Sequence, residues 1–290
     1  MSVDIEKVLS RWSPSKLGML MRCQNQFYRH YLLGENKPPS IALAFGSAFD
    51  LGAGAILSDG VGQGKVGPLS VGQDAFAMAW EWERERIQEW DGEDASSVSS
   101  RLEGEGLRLI KHWRDEACNG LVPIASQEHF NVEVEPGLSI EGVLDGRARK
   151  DAGSNPQQFV LELKTAGKPW RSRESRSQGK VPSKALQSLQ VPAYSIGASV
   201  VEGKPVEVVE FHVCARGGKS DVDVIRVPVE SAARRGYIQS IKFAQCQARE
   251  CARTGTFLPT AHLSGHWMCS KKFCGWWREC VKEFGGERAE

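Results

Sequence analysis

Several things are missing from this sequence, and each absence narrows the field. No uninterrupted apolar run reaches the roughly 18 residues that suggest a membrane span, so no membrane association is expected. The opening residues, MSVDIEKVLSRW, contain no apolar stretch of the kind a secretory leader needs. The eight cysteines are therefore expected as thiols or metal ligands rather than disulfides. The chain has no Gly-x-x-x-x-Gly-Lys-Ser/Thr pattern, which excludes a P-loop ATPase or helicase within it. There is no internal repeat. Neither sign of charge dominates: 37 Lys and Arg stand against 36 Asp and Glu, for a net charge of +1. Any electrostatic preference must come from the distribution of charge, not its sum.

The distribution is uneven. From Lys164 to Lys184 the chain carries Lys164, Lys168, Arg171, Arg173, Arg176, Lys180 and Lys184 against the single acid Glu174. With 41% hydrophobic and 25% charged residues over 290 positions, the chain can bury a large core. Ser13-Pro14 predicts a helix start, and apolar spacing from Leu17 to Tyr31 continues that helix through Cys23 until Gly34. Residues 41–57 predict a helix whose Gly46, Gly52 and Gly54 suit close packing. Residues 58–72 read as a Gly-rich loop. Residues 74–90 and 99–118 predict amphipathic helices, and the whole of 58–125 reads as a helical insertion with no motif. Strands are expected from about Ser126. A helix follows over 183–200, then strands at 205–214 and 221–227, and a long helix over 229–254.

The stretch Gly142 to Thr165 carries the chemistry. Two apolar runs flank the turn residues Gly153, Asn155 and Pro156, which predicts a hairpin or two neighbouring strands. Asp145 closes the first strand. Glu162 and Lys164 lie two apart on the second, so they share a face. Two carboxylates and an ammonium at one place are costly unless a cation or a phosphate joins them. Carboxylates of this kind suit Mg²⁺ or Mn²⁺, and the Leu163 carbonyl between them offers a further oxygen. Glu128, on the preceding strand, is a weaker candidate nearby. Gln190 and Tyr194 stand one turn apart on the following helix. The bland alternative is a surface hairpin with an ordinary Glu–Lys pair.

Asp145, Glu162-Leu163-Lys164 and Gln190-x-x-x-Tyr194 together resemble the PD-(D/E)XK nucleases of the RecB type. Ser13-x-Ser15-x-Leu17, followed by Cys23 and Phe27, is similar to the helix that opens those domains. The resemblance spans Ser13 to Cys280. It implies an α/β fold with a restriction-endonuclease-like core, a central mixed sheet flanked by helices, in one domain. The expected layout is opening helices over 13–57, the insertion over 58–125, the nuclease core over 126–228 and a C-terminal region over 229–290. In that family a Gly-x-x-x-His segment supplies another metal ligand. Here Gly46-x-x-x-Asp50 has the spacing, with Asp50 in place of His, and Asp50 is the implied third acidic ligand. A helix-capping or surface acid is its structural alternative.

Cys269-x4-Cys274-x5-Cys280 is a compact thiol run beside Trp267, Trp276 and Trp277. Three thiolates need a fourth ligand to close a zinc or iron–sulfur site, and Cys23 is the candidate. One Cys in the opening helix and three at the C-terminus is similar to the iron–sulfur-stapled nucleases, AddB and the RecB-like CRISPR-associated nuclease. That layout implies a 4Fe–4S cluster in a structural role. Zinc and free buried thiols remain the alternatives. Cys118, Cys214, Cys246 and Cys251 read as core or incidental thiols.

The expectation is a Mg²⁺- or Mn²⁺-dependent deoxyribonuclease. Asp145 and Glu162 would hold the ions, Lys164 would orient or activate water, and Gln190 would position the lysine or the phosphate. Tyr194 would pack behind them or touch DNA. The basic segment would grip phosphates, and Trp170 within it would stack a base or simply pack. Exonuclease action on single-stranded or end-bearing DNA is expected, in recombination, repair or phage DNA metabolism. A helicase, recombination or single-strand-binding partner fits the lack of a motor. The expected location is the cytoplasm of a prokaryote or of a phage-infected cell. The competing expectation is an inactive DNA-binding or complex-forming module that kept the fold.

Overall fold

The computed structural model describes residues 4–90, 92, 94–150, 157–216, 221–260, 268–271 and 273–285. The expected turn residues Gly153, Asn155 and Pro156, and also Trp267, lie outside them. In chain order the first elements are α1 (Ile5–Leu9), β1 (Arg11–Trp12), α2 (Pro14–Arg22), α3 (Gln24–Phe27) and a π-helical turn (Tyr28–Leu32). Then come α4 (Ile41–Gly60), α5 (Leu69–Glu85), α6 (Ala95–Ala117), β2 (Leu121–Glu135), β3 (Leu138–Lys150) and β4 (Gln158–Ala166). The chain continues through α7 (Arg173–Ser177), α8 (Ser183–Leu186), α9 (Gln190–Glu202), β5 (Val208–Ala215) and β6 (Asp221–Pro228). It ends with α10 (Ser231–Thr254) and α11 (Trp277–Phe284). These elements fall into two compact units. One comprises residues 1–38, 131–141 and 235–290, and the other 39–130 and 142–234.

In the first unit, Ser13 caps α2 by accepting the Lys16 amide at 3.2 Å, and Pro14 occupies the first turn as expected. The opening helix does not run through Cys23. It stops there, because Cys23 takes an extended conformation (φ −156°, ψ 109°). The backbone at the break is paired elsewhere: the Asn25 amide donates to the Leu258 carbonyl at 3.3 Å, and the Gln24 side chain accepts the Leu258 amide at 3.2 Å. Tertiary hydrogen bonds outweigh local helix preference there. Lys16 is buried on α2 with its ammonium 5.2 Å from the Trp12 and Tyr31 ring centroids, donating to the Arg11 carbonyl at 2.7 Å. Burial lowers its pKa to about 8. β1 pairs in parallel with the start of β3, Arg11 against Ser139 and Trp12 against Ile140.

The second unit holds a mixed sheet flanked by helices. The later part of β3 runs antiparallel to β4, β4 parallel to β5, and β5 antiparallel to β6. Gly146 sits opposite Leu161, and Leu163 opposite His212. Side-chain alternation then divides the sheet. Phe159, Leu161 and Leu163 join the core formed with α4, α5 and α6, which includes Phe49, Phe76, Trp80 and Trp113. Val160, Glu162 and Lys164 point the other way, toward α9. The expected helix over 183–200 is in fact two, α8 and α9, separated at Gln187–Leu189. A buried polar chain links α6 to β5: Trp113 Nε1 donates to His212 Nδ1 at 3.0 Å, and His212 Nε2 lies 2.9 Å from Glu210. Burial lowers the His212 pKa although Glu210 opposes the shift.

By length and composition α4 could cross a membrane, which the uninterrupted-run reading had set aside. Its 18-residue window has mean hydropathy 1.6. Half of that window is buried inside the protein, and Phe45, Ala48, Phe49, Ala53, Ile56 and Leu57 pack in the core. Its small residues allow the close approach that the sequence suggested. A Cβ on Gly52 would meet the Gly72 carbonyl at 2.8 Å, and one on Gly106 would meet Phe76 Cζ at 1.9 Å. The Phe76 ring is held edge-on by Phe45, 5.9 Å away, and cannot retreat without a rearrangement of the core. Gly106→Ala is expected to cost ~1–3 kcal/mol by overpacking, read as a lower denaturation midpoint by circular dichroism.

Candidate active site

β3 and β4 bring the acidic groups together. Asp145 lies within β3, which continues to Lys150, rather than closing a strand as expected. The antiparallel pairing runs from Arg149 to Gly146, and just beyond it the Asp145 carboxylate takes the Leu163 amide at 2.7 Å. That bond fixes the carboxylate beside Glu162. Glu162 is almost fully buried, with a side-chain exposure of 1%, while Lys164 is 32% exposed. Lys164 donates to Glu162 Oε1. Gln190, at the start of α9, donates to the same oxygen at 2.5 Å and to the Tyr194 hydroxyl at 3.0 Å. The one-turn spacing of Gln190 and Tyr194 thus brings the two side chains into contact. Tyr194 also meets Phe130 edge-on at 6.0 Å, so its ring packs behind the polar group.

Glu162 Oε2 is buried and has no hydrogen-bond partner. Burial pushes the Glu162 pKa up to about 8, and the Asp145 charge adds to the shift against Lys164 and Gln190. Burial raises Asp145 as well, opposed by Lys164, the Leu163 amide and the neighbouring Glu162 carboxyl. Asp50 reaches the same electrostatic field from α4. Its pKa is raised well above the ordinary value by burial first and then by Asp145, with Lys164 opposing. Burial alone would lower Lys164, but Glu162, Asp145 and Asp50 together hold it above its usual value. Three acids therefore share one ammonium. Acids that burial holds protonated, with an unpartnered oxygen among them, suit a divalent cation that would take the place of the protons. Asp145, Glu162 and the Leu163 carbonyl are the hard oxygen donors present, with Asp50 alongside. Among the described residues, no group of three or more His, Cys, Asp or Glu is placed to hold a metal ion. Mg²⁺ needs no such group, since it uses one or two carboxylates and keeps several waters.

Two other residues singled out in the sequence have partners of their own. Both oxygens of Glu128 bind Arg147, at 2.5 and 2.9 Å, and Arg147 also pairs with Glu202 on α9. The sequence reading missed Arg147. Its signal was the two-residue period, which puts it on the Asp145 face of β3. Trp170 packs on Phe211 with centroids 5.5 Å apart and carries the Lys184 ammonium 4.5 Å from its ring, so packing is its observed role. The basic segment is also less free than its composition implied. Arg171 binds Asp223 with both backbone and side chain, and Arg176 pairs with Asp221 and Asp223. Lys168, Arg173, Lys180 and Lys184 are exposed.

In the other unit, Cys23, Cys269, Cys274 and Cys280 all line one cavity, with Arg22, Asn25, Gln26, Trp276 and Trp277 among its walls. Gln26 Nε2 donates to Cys274 Sγ at 3.1 Å, and Asn25 Nδ2 to Cys280 Sγ at 3.4 Å. Arg22 Nε and Trp277 Nε1 are buried donors without partners. Burial raises the Cys274 thiol pKa, and Cys23 and Cys269 add to the shift. Four thiols ringed by N–H donors fit an anionic, sulfur-rich occupant, or four thiolates on zinc. Among the described residues, these thiols do not form a ready metal-ion group. Cys246 and Cys251, on α10, do not line the cavity, and Cys118 and Cys214 belong to the other unit. Arg29–Glu283 and Lys37–Glu279 ion pairs, both 2.5 Å, already tie the opening segment to α11.

The site thus joins an acid pair and a lysine from β3 and β4 with a supporting glutamine from α9. A model of the PD-(D/E)XK nuclease superfamily matches residues 11–281, and the chain belongs to that superfamily. Seventeen chains of solved structures are similar to it. One is the crystal structure of a protein described as a "putative exonuclease" from Eubacterium rectale. It has a TM-score of 0.53 and 11% identity over 96% of this chain and 90% of that one. At that identity the likeness shows the fold alone. No curated protein matches the sequence significantly.

Proposed function

We propose that this protein is a metal-dependent DNA nuclease that hydrolyses phosphodiester bonds, acting as an exonuclease on single-stranded or end-bearing DNA. The observation that carries this reading is the orphaned, buried Glu162 Oε2 beside Asp145 and Lys164. An unpaired carboxylate oxygen in the interior is costly, and a bound cation removes the cost. Asp145, Glu162 and the Leu163 carbonyl hold the ion, and Asp50 adds negative charge in place of the family's histidine. The ion, when bound, polarises the phosphoryl oxygens. Lys164, its Nζ held by Glu162, faces the phosphate and offsets negative charge that develops there. Gln190 fixes the Glu162 rotamer, and Tyr194 in turn fixes Gln190. The test is incubation of end-labelled single- and double-stranded DNA with protein and Mg²⁺ or Mn²⁺. Wild type should degrade DNA and Lys164→Ala should not; if both are equally inert, the chain is a binding module.

The basic segment separates into anchors and phosphate contacts. Lys168, Arg173, Lys180 and Lys184 would meet the DNA backbone, whereas Arg171 and Arg176 hold the segment on β6. Each exposed cation changed to Ala is expected to reduce the slope of log K against log salt by about 1 if it neutralises one phosphate. Arg171→Ala should instead lower thermal stability, since it leaves the fully buried Asp223 carboxylate short of its main partner. Fluorescence anisotropy with labelled single strands at several salt concentrations separates the two groups.

The thiol cavity supports a 4Fe–4S cluster on Cys23, Cys269, Cys274 and Cys280 as a structural staple. Zinc is the alternative occupant. Iron, sulfide and zinc analysis of purified protein decides between them.

A further inference from the structure

The residues that follow Cys23 do more than continue the chain. Where α2 breaks, Asn25 and Gln26 turn toward the cavity that the four thiols line. Asn25 is 3% exposed. Gln26 has its orientation set from outside: Arg22 Nη2 donates to Gln26 Oε1 at 3.2 Å, which leaves the amide nitrogen aimed at Cys274 Sγ. A neutral thiol is a weak acceptor and needs no such partner. Two side-chain amides on two different sulfurs, with Arg22 Nε and Trp277 Nε1 buried and unpartnered at the same wall, are a donor set for negatively charged sulfur. A pocket that only packed against thiols would use apolar side chains at these positions.

We propose that Asn25 and Gln26 are positioning residues whose N–H···S bonds set the reduction potential of a cluster on these cysteines. The proposal rests on the iron–sulfur reading above. Adding one electron to a cluster increases the negative charge on its sulfurs, so an N–H donor stabilises the reduced state more than the oxidised one. Removing the donor must move the potential to more negative values. Gln26, with the shorter bond, should have the larger effect.

The experiment begins with wild-type protein purified without oxygen and analysed for iron, sulfide and visible absorption. A titration with dithionite and mediator dyes then gives its midpoint potential. Gln26→Met, similar in length but without a donor, should keep its iron, sulfide and thermal midpoint. Its oxidised-to-reduced ratio at fixed potential should rise roughly tenfold, a shift of about 59 mV for one electron. Asn25→Leu should shift in the same direction by less. A cluster-bearing Gln26→Met with the wild-type potential overturns the proposal. If that variant does not assemble its cluster, Gln26→Leu removes the donor without adding charge, and an unchanged potential there overturns the proposal equally. Wild-type protein without iron and sulfide fails at the first step. That outcome rejects the cluster itself and is distinct from a cluster whose potential ignores the amides.

Discussion

Glu162→Gln is expected to abolish cleavage while leaving the metal-free protein at least as stable as wild type at pH 8. The loss of activity should reach roughly 10³-fold or more, because the variant removes an anionic ion ligand and the charge paired with Lys164. The stability result follows from where the proton resides. Burial sets the Glu162 pKa near 8 against an ordinary 4.5. Between those values the folded state keeps a proton that the unfolded chain has released. Stability of the metal-free wild type therefore falls as pH rises through that window. Glutamine has no proton to lose, so the Glu162→Gln midpoint should decline less between pH 5 and 8. Asp50 and Asp145, also raised, contribute the slope that remains. Thermal melts in a chelator across this range, repeated with Mg²⁺, give the check. Mg²⁺ should restore stability to wild type at pH 8, by displacing the proton, and should do much less for the variant. A variant that cuts DNA at the wild-type rate would remove Glu162 from the site.

Cys274→Ser carries the second large effect. It should remove the brown colour expected of an iron–sulfur protein and lower the thermal midpoint by roughly 10 °C or more, as loss of several kcal/mol of metal-coupled folding energy implies for a chain of this size. The proposed cluster would join Cys23 to the C-terminal cysteines, closing a loop of about 250 residues, and so would constrain the unfolded chain strongly. The Arg29–Glu283 and Lys37–Glu279 pairs remain in the variant. They are partly exposed and contribute little, about 0–1 kcal/mol each, so they do not replace the bridge. Absorption spectra and calorimetry on the same preparation are the measurements. Cys246→Ser is the control, since that thiol is exposed on α10 and away from the cavity, and it should change neither. A Cys274→Ser protein that kept both colour and midpoint would sink the staple.

Much of the site could be read from the chain because its geometry is local. A strand repeats every two residues, so Glu162 and Lys164 had to share a face, and they form an ion pair. A helix turns in about 3.6 residues, so Gln190 and Tyr194 had to be neighbours, and they hydrogen-bond at 3.0 Å. Capping by Ser13 and the close packing at Gly52 were legible for the same reason: each depends on a residue and its immediate backbone. The α/β order followed from where the period changed from four to two.

Partnerships across the chain were decided by tertiary structure alone. Nothing near Arg171 and Arg176 in sequence announces Asp221 and Asp223, yet those acids take up two of the cations that composition had assigned to DNA. Glu128 looked available until Arg147 claimed it. The helix expected through Cys23 breaks because residue 258 supplies backbone hydrogen bonds that no local propensity encodes. The sequence by itself determined which residue types stand at the strand pair, the following helix and the thiol run, since periodicity places neighbours. Only the folded chain decided which charges are spent on each other and which remain. Ion pairing and desolvation depend on distances between segments far apart in sequence, and they leave Glu162 Oε2 buried without a partner.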